Sequence, residues 1–227
     1  NHIHHFGEVV PNYRPGVQLR GVGSRCKLVF DDGTVIKTLT SVAAGHGLYP
    51  GIVLEGAAWQ AFLDDVEAAG ARLRAVRIVS AAAVSEKELR RRLVRKGESQ
   101  QNADAAADWL KDIGALDDGE LAGRIARRAA AKGYGRARIR QELAQKGVPK
   151  EFWDAALDAL PEPDRAIDQF IEQKLRGGRP DRAQQQKLID ALRRRGHSWG
   201  DIRAALTRYE LALEDEGWNN EDDESEL

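Results

Sequence analysis

Three segments of this chain share one internal grammar. Ser85 to Gly97, Gly135 to Gly147 and Gln184 to Gly196 each carry an aliphatic pair four residues apart (Leu89/Leu93, Ile139/Leu143, Leu188/Leu192). Each then closes on a basic residue and a glycine: Lys96-Gly97, Lys146-Gly147 and Arg195-Gly196. The glycines stand 50 and 49 residues apart, and the likeness continues past them in Ala106, Ala107 and Leu110, in Ala156, Leu157 and Leu160, and in Ala205, Leu206 and Tyr209. A period of this length with constant spacing inside it marks a tandem helical repeat. One such unit alone exposes its apolar stripe, so neighbours must stack to cover it, and an elongated array is expected.

Local signals give three helices per unit. The glycine tolerates the left-handed conformation that a helix C-terminus needs and therefore ends the middle helix. Ser85 with Glu88 reads as a capping box, Asp117 with Glu120 resembles one, Ser198 is a candidate cap, and Pro149 suits a first helical turn. Amphipathic segments near 72–83, 118–132 and 164–175 supply the remaining helices. The expected fold is mainly α, with a small N-terminal β-containing domain. Its expected parts are a flexible N-terminus (1–15), a β-meander plus helix (16–70), repeats over 71–116, 117–160 and 161–210, and an acidic tail (211–227). The meander is read from Val17–Arg20, Cys26–Phe30 and Thr34–Lys37, with Asp31-Asp32-Gly33 as the hairpin turn. A helix near Ala57–Ala69 presents Trp59, Phe62, Leu63 and Val66 to it.

Charge is distributed unevenly. The whole chain carries 35 basic and 36 acidic side chains, but residues 72–210 hold 30 and 21, while residues 211–227 hold 8 acidic ones and no base. The near-neutral total is a cancellation between a basic body and an acidic tail, which suggests a polyanion or a protein that holds one. The candidate binding residues are Arg90, Arg91, Arg92, Arg95 and Lys96 in the first repeat, Arg136, Arg138, Arg140 and Lys146 in the second, and Arg193, Arg194 and Arg195 in the third. A solvated helix face with partners such as Glu86 to Arg90 is the plain alternative. Against it, residues 72–97 hold 9 bases and only 2 acids. The tail has two readings: a solubilising end, or a competitor for the anionic target.

Catalytic readings are poor. No phosphate loop is present, and Gly21-Val22-Gly23 lacks the rest of a dinucleotide fingerprint. His46 and His197 flank glycines without an evident partner, and His2, His4 and His5 belong to an expected frayed terminus. Cys26, the single cysteine, excludes an internal disulfide and a cysteine zinc site and reads as a small buried hydrophobe. Trp109 and Trp153 fall at helical spacing with Ile113 and Leu157 and read as core, whereas Trp199 beside a cap serine stays open to stacking on a base. No apolar stretch is long enough to span a membrane, so a cytoplasmic, monomeric protein without cofactor or metal is expected.

The residues from Ser85 to Gly97, followed by Trp109-Leu110 and Gly114-Ala115-Leu116-Asp117-Asp118, resemble the first repeat of the RecX family of recombination regulators. Gly133-Tyr134-Gly135, Ile139 through Val148, and Leu188 through Gly196 resemble its second and third repeats, and the N-terminal meander is similar to an extension found in many members. One departure is Ala81-Ala82-Ala83-Val84, where members often carry Arg and Pro. The resemblance implies a non-enzymatic modulator that lies along the RecA filament on single-stranded DNA, meeting the DNA directly or through RecA. It further implies restraint of filament growth, ATP hydrolysis, strand exchange and co-protease activity. A helical DNA- or RNA-binding protein acting without RecA is the alternative.

Overall fold

The computed structural model of the chain describes residues 3–9 (backbone), 24–175 and 178–211. These residues form one small antiparallel sheet and ten α-helices. They divide into two compact units, 1–121 with 146–148, and 122–145 with 149–227, so the division falls inside the second repeat.

In the first unit, strands β2 (Arg25–Phe30) and β3 (Val35–Leu39) form the expected hairpin. Gly33 takes φ +82° in the turn, and Asp32 Oδ1 accepts the Thr34 N–H at 2.8 Å, which pre-forms it. The third strand comes from an unexpected place. β1 (Ile3–Val9), expected in a flexible terminus, pairs antiparallel with the other edge of β2, giving the order β1-β2-β3. An open β2 edge with alternating apolar residues is a template for such pairing, which local composition does not reveal. The proposed strand Val17–Arg20 lies outside the described residues.

Cys26, Leu28 and Phe30 alternate onto one face of β2 and are buried. The short α1 (Thr40–Gly45) and the longer α2 (Gly56–Ala81) cover that face, where Phe30 meets Trp59 edge-on at 5.1 Å and Phe62 is fully buried. Two expected helices, 57–69 and 72–83, are therefore one, and the expected boundary at 70/71 lies in its middle. Gly70 costs the helix about 1 kcal/mol relative to alanine. Buried Ala69, Ala71 and Ala75 on either side hold the helix through it. The second half of α2 packs with α3 (Glu86–Arg95) and α4 (Gln100–Asp112) around Leu89, Leu93, Ala103, Ala107 and Leu110. The first repeat thus shares its first helix with the β module.

The second repeat consists of α5 (Asp118–Ala131), α6 (Arg136–Gln145) and a 3-10 turn (Lys150–Phe152) running into α7 (Trp153–Asp158). The third consists of α8 (Asp164–Leu175), α9 (Arg182–Arg194) and α10 (Trp199–Arg208) around Ile167, Ile171, Leu188, Leu192, Ile202 and Leu206. The three aliphatic pairs are all buried, and Gly97, Gly147 and Gly196 take φ of +94°, +71° and +83°. The repeat period therefore marks the same structural position three times.

Ser85 and Ser198 cap their helices as expected, and Asp117 Oδ1 accepts the Glu120 N–H at 2.8 Å. A reciprocal capping box joins Asp181 and Gln184 at the start of α9. Glu88 does not reach back because Arg91 and Arg92 take its carboxylate at 2.5 and 2.7 Å.

Candidate functional site

Two of the middle helices, α3 and α6, start at matching joints. In the first unit, the Ser85 Oγ–H donates to the Lys146 carbonyl at 2.7 Å. Fifty residues later, the Gly135 N–H donates to the Arg195 carbonyl at 2.8 Å and the Ala137 N–H to the Gly196 carbonyl at 3.2 Å. Carbonyls left over at one helix C-terminus thus meet a hydroxyl at the first joint and backbone N–H groups at the second, so groups that an isolated helix leaves to water are satisfied. At the second joint the two backbones touch: a Cβ on Gly196 would lie 2.3 Å from Arg138 N. Near the first joint, buried Asp118 accepts the Glu86 N–H at 3.0 Å. Burial raises the Asp118 pKa, and the Glu86 and Asp117 charges add to the rise, while the Glu86 N–H opposes it.

The structure sorts the predicted cations into bound and presented ones. Arg90 is half-buried and bridges Glu86 on its own helix and Asp104 and Asp108 on α4, the last two at 2.9 and 2.6 Å. Burial opposes its charge, and the bond to Glu86 with the three nearby carboxylates outweighs that, so its pKa is raised. Burial likewise raises Glu86, and Arg90 and Lys111 outweigh it to leave its pKa lowered. For Arg90 the shortage of acids within 72–97 is thus made good from α4, and Arg90 holds α3 to α4. Arg91, Arg95 and Lys96 are exposed, and neither Arg95 nor Lys96 has a carboxylate partner among the described residues.

In the second repeat, Arg136 pairs with Asp158 at 3.0 Å, Arg140 lies 4.0 Å from Asp154, and Arg138 stacks over Tyr134 at 5.8 Å. The Lys146 side chain is exposed although its carbonyl is held. In the third, Arg195 is structural: its guanidinium donates to the Lys132 carbonyl at 3.0 Å and lies 4.5 Å from the Phe170 ring centre. Arg193 and Arg194 are exposed.

His46 and His197 both have partners that sequence could not show. His46 Nε2 donates to Asp65 at 2.8 Å across 19 residues, and His197 Nε2 donates to the Gly133 carbonyl at 3.1 Å across 64. His197 is buried with Nδ1 unpartnered among the described residues, and burial lowers its pKa. Trp109 is half-buried against the first-repeat core with Arg72 stacked 5.8 Å over it, but Ile113, its expected core neighbour, is exposed. Trp153 is half-buried near Lys150, and Trp199 is 37 % exposed. Cys26 is buried as expected, and burial raises its thiol pKa.

Two cavities accompany these residues. One, of about 500 Å³, is lined by His46, Asp65, Arg72 and Trp109. The other, of about 610 Å³, is lined by Lys174, Arg179, Lys187 and Arg194, of which only Arg194 stands among the candidates above. The missed signal is Lys187, Ala191 and Arg194 at i, i+4 and i+7 on one face of α9. Among the described residues no His, Cys, Asp and Glu cluster could hold a metal, and no helix is long and apolar enough to cross a membrane.

Known proteins share this arrangement. Residues 117–157 match the family model of the second three-helix domain of RecX, and residues 162–206 that of the third. The regulatory protein RecX of Xanthomonas axonopodis pv. citri is 39% identical over 129 residues, which cover 56% of this chain and 79% of that relative. A crystal structure of regulatory protein RecX superposes with a TM-score of 0.68 at 20% identity, covering 91% of this chain and 98% of the other. RecX from Lactobacillus salivarius superposes with a TM-score of 0.60 at 17% identity, covering 64% of this chain and 98% of the other.

Proposed function

Because this chain belongs to the RecX family of regulatory proteins, we propose that it binds the RecA filament on single-stranded DNA and restrains its ATP hydrolysis, strand exchange and co-protease activity without chemistry of its own. The observation that carries the reading from family to residues is the presence of exposed cations in every repeat: Arg91, Arg95 and Lys96, then Arg136, Arg140 and Lys146, then Arg193 and Arg194. They sit on or directly beside the middle helices, whose other faces are locked by buried aliphatic pairs. Charges on rigid elements lose little entropy on meeting an anionic surface, so they serve recognition better than charges on loops. Repeating them by unit suits a partner whose own surface repeats.

The test is triple charge reversal, Arg91→Glu, Arg95→Glu and Lys96→Glu, in the full chain. DNA-dependent ATP hydrolysis by RecA should recover toward its uninhibited rate while the variant keeps wild-type helicity. Undiminished inhibition at equal helicity would remove the first repeat from the interface. Arg90 is kept out of the variant because reversing it would set four carboxylates against one another. Tight binding to bare single strands with a steep salt slope, and no effect on RecA, would favour a nucleic-acid binder acting alone.

A further inference from the structure

We propose that the basic cavity of the third repeat is the docking site of the chain's own acidic C-terminal segment, residues 212–227. Four cations, Lys174, Arg179, Lys187 and Arg194, line this cavity of about 610 Å³, and among the described residues no carboxylate does. None of the four has a carboxylate partner among the described residues, in contrast to Arg90, Arg136 and Arg208, which are all paired. Acids of the same repeat are engaged elsewhere: Asp168 and Asp164 take Arg208 at 2.7 and 3.4 Å, Asp181 caps α9, Asp190 accepts from Gln186 Nε2 at 3.0 Å, and Glu172 accepts from the Tyr209 hydroxyl. Four like charges around one space repel one another, and an anion placed among them removes that cost. The cavity is therefore built for a ligand with several negative groups.

The fold brings one such ligand to its edge. Arg179 Nη2 donates to the Glu210 carbonyl at 3.2 Å, and the next residue, Leu211, is buried in the core of the same repeat. Beyond it come Glu214, Asp215, Glu216, Glu221, Asp222, Asp223, Glu224 and Glu226, with no base among them. Glu214 is three residues past Leu211, within about 10 Å of extended chain. A segment tethered this closely acts at an effective concentration on the order of millimolar, so it occupies the cavity ahead of dilute anions of similar affinity. A separate polyanion must displace it, and the tail then sets the threshold for that binding. The attraction weakens as salt screens it.

Zero-length carbodiimide coupling of the full wild-type chain, followed by peptide mass spectrometry, tests this directly. At low ionic strength, Lys174 and Lys187 should form amide links to carboxylates between Glu214 and Glu226 several times more often than Lys132 and Lys150, which are exposed in the same unit. Yield should not depend on protein concentration, and the preference should vanish near 1 M salt. Links spread over all four lysines alike, or links that grow with concentration, would overturn the proposal. So would a result in which added oligothymidylate shields Lys174 and Lys187 while the tail never couples to them, since the cavity would then be a nucleic-acid site.

Discussion

Replacing Gly135 by alanine should cost about 3 kcal/mol, although it adds only one methyl group. A Cβ at that position would lie 2.2 Å from the Gly196 carbonyl oxygen, 2.4 Å from its carbon and 2.5 Å from the His197 nitrogen. All three are backbone atoms, so no side chain can swing aside and the two segments must part. Parting them breaks the bonds from Gly135 N–H to Arg195 and from Ala137 N–H to Gly196. Each broken backbone bond costs about 1 kcal/mol net, and more where the freed group stays buried. It also disturbs the nearby bonds from Arg195 to Lys132 and from His197 to Gly133. The matched control is Gly70→Ala in the interior of α2, where nothing lies within 4 Å of the added carbon. There the same methyl should stabilise by about 1 kcal/mol through helix propensity. Urea unfolding gives the sign, and hydrogen exchange at Ala137 locates the effect, which matters because a chain of two units need not unfold in one step. A Gly135→Ala variant within about 0.5 kcal/mol of wild type, with Ala137 still protected, would refute the close joint.

Ser85→Ala removes both the α3 cap and the bond to the Lys146 carbonyl, and should lower stability by about 1–2 kcal/mol in denaturant titration. Arg90→Ala should lower the melting temperature measurably because Glu86, Asp104 and Asp108 lose their shared cation, whereas Arg95→Ala should leave it within error. His197 has a folded pKa below its ordinary value of 6.5, so its contribution is complete above pH 6.5 and is lost as pH falls through the lowered value. The urea midpoint should accordingly drop on acidification from pH 7, and His197→Gln should flatten that part of the profile. Asp118 runs the other way: its raised pKa makes its contribution greatest at acid pH and lost as pH rises through it, so the stability of Asp118→Asn relative to wild type should improve from pH 4 to pH 7.

The sequence by itself determined the three-unit helical grammar, the buried aliphatic pairs, the glycine ends of the middle helices and the β2–β3 hairpin. All are set within a few residues by period, turn chemistry and left-handed backbone, and such local preferences survive into the fold. Tertiary structure decided what depended on distant partners. It joined two expected helices into α2 because Phe62 packs on the sheet and Ala75 on the first repeat, which hold one continuous helix at both ends. It drew β1 onto an edge that nothing in its own composition announces. It also chose which cations are available. Arg90 and Arg95 look alike in sequence, yet Arg90 faces α4 and meets Asp104 and Asp108, while Arg95 lies exposed. Lys174 and Arg179 join Lys187 and Arg194 only because the chain folds back between α8 and α9. Charge acts through space, so its pairing follows three-dimensional proximity, and only the packed helices fix which arginines hold the fold and which lie exposed.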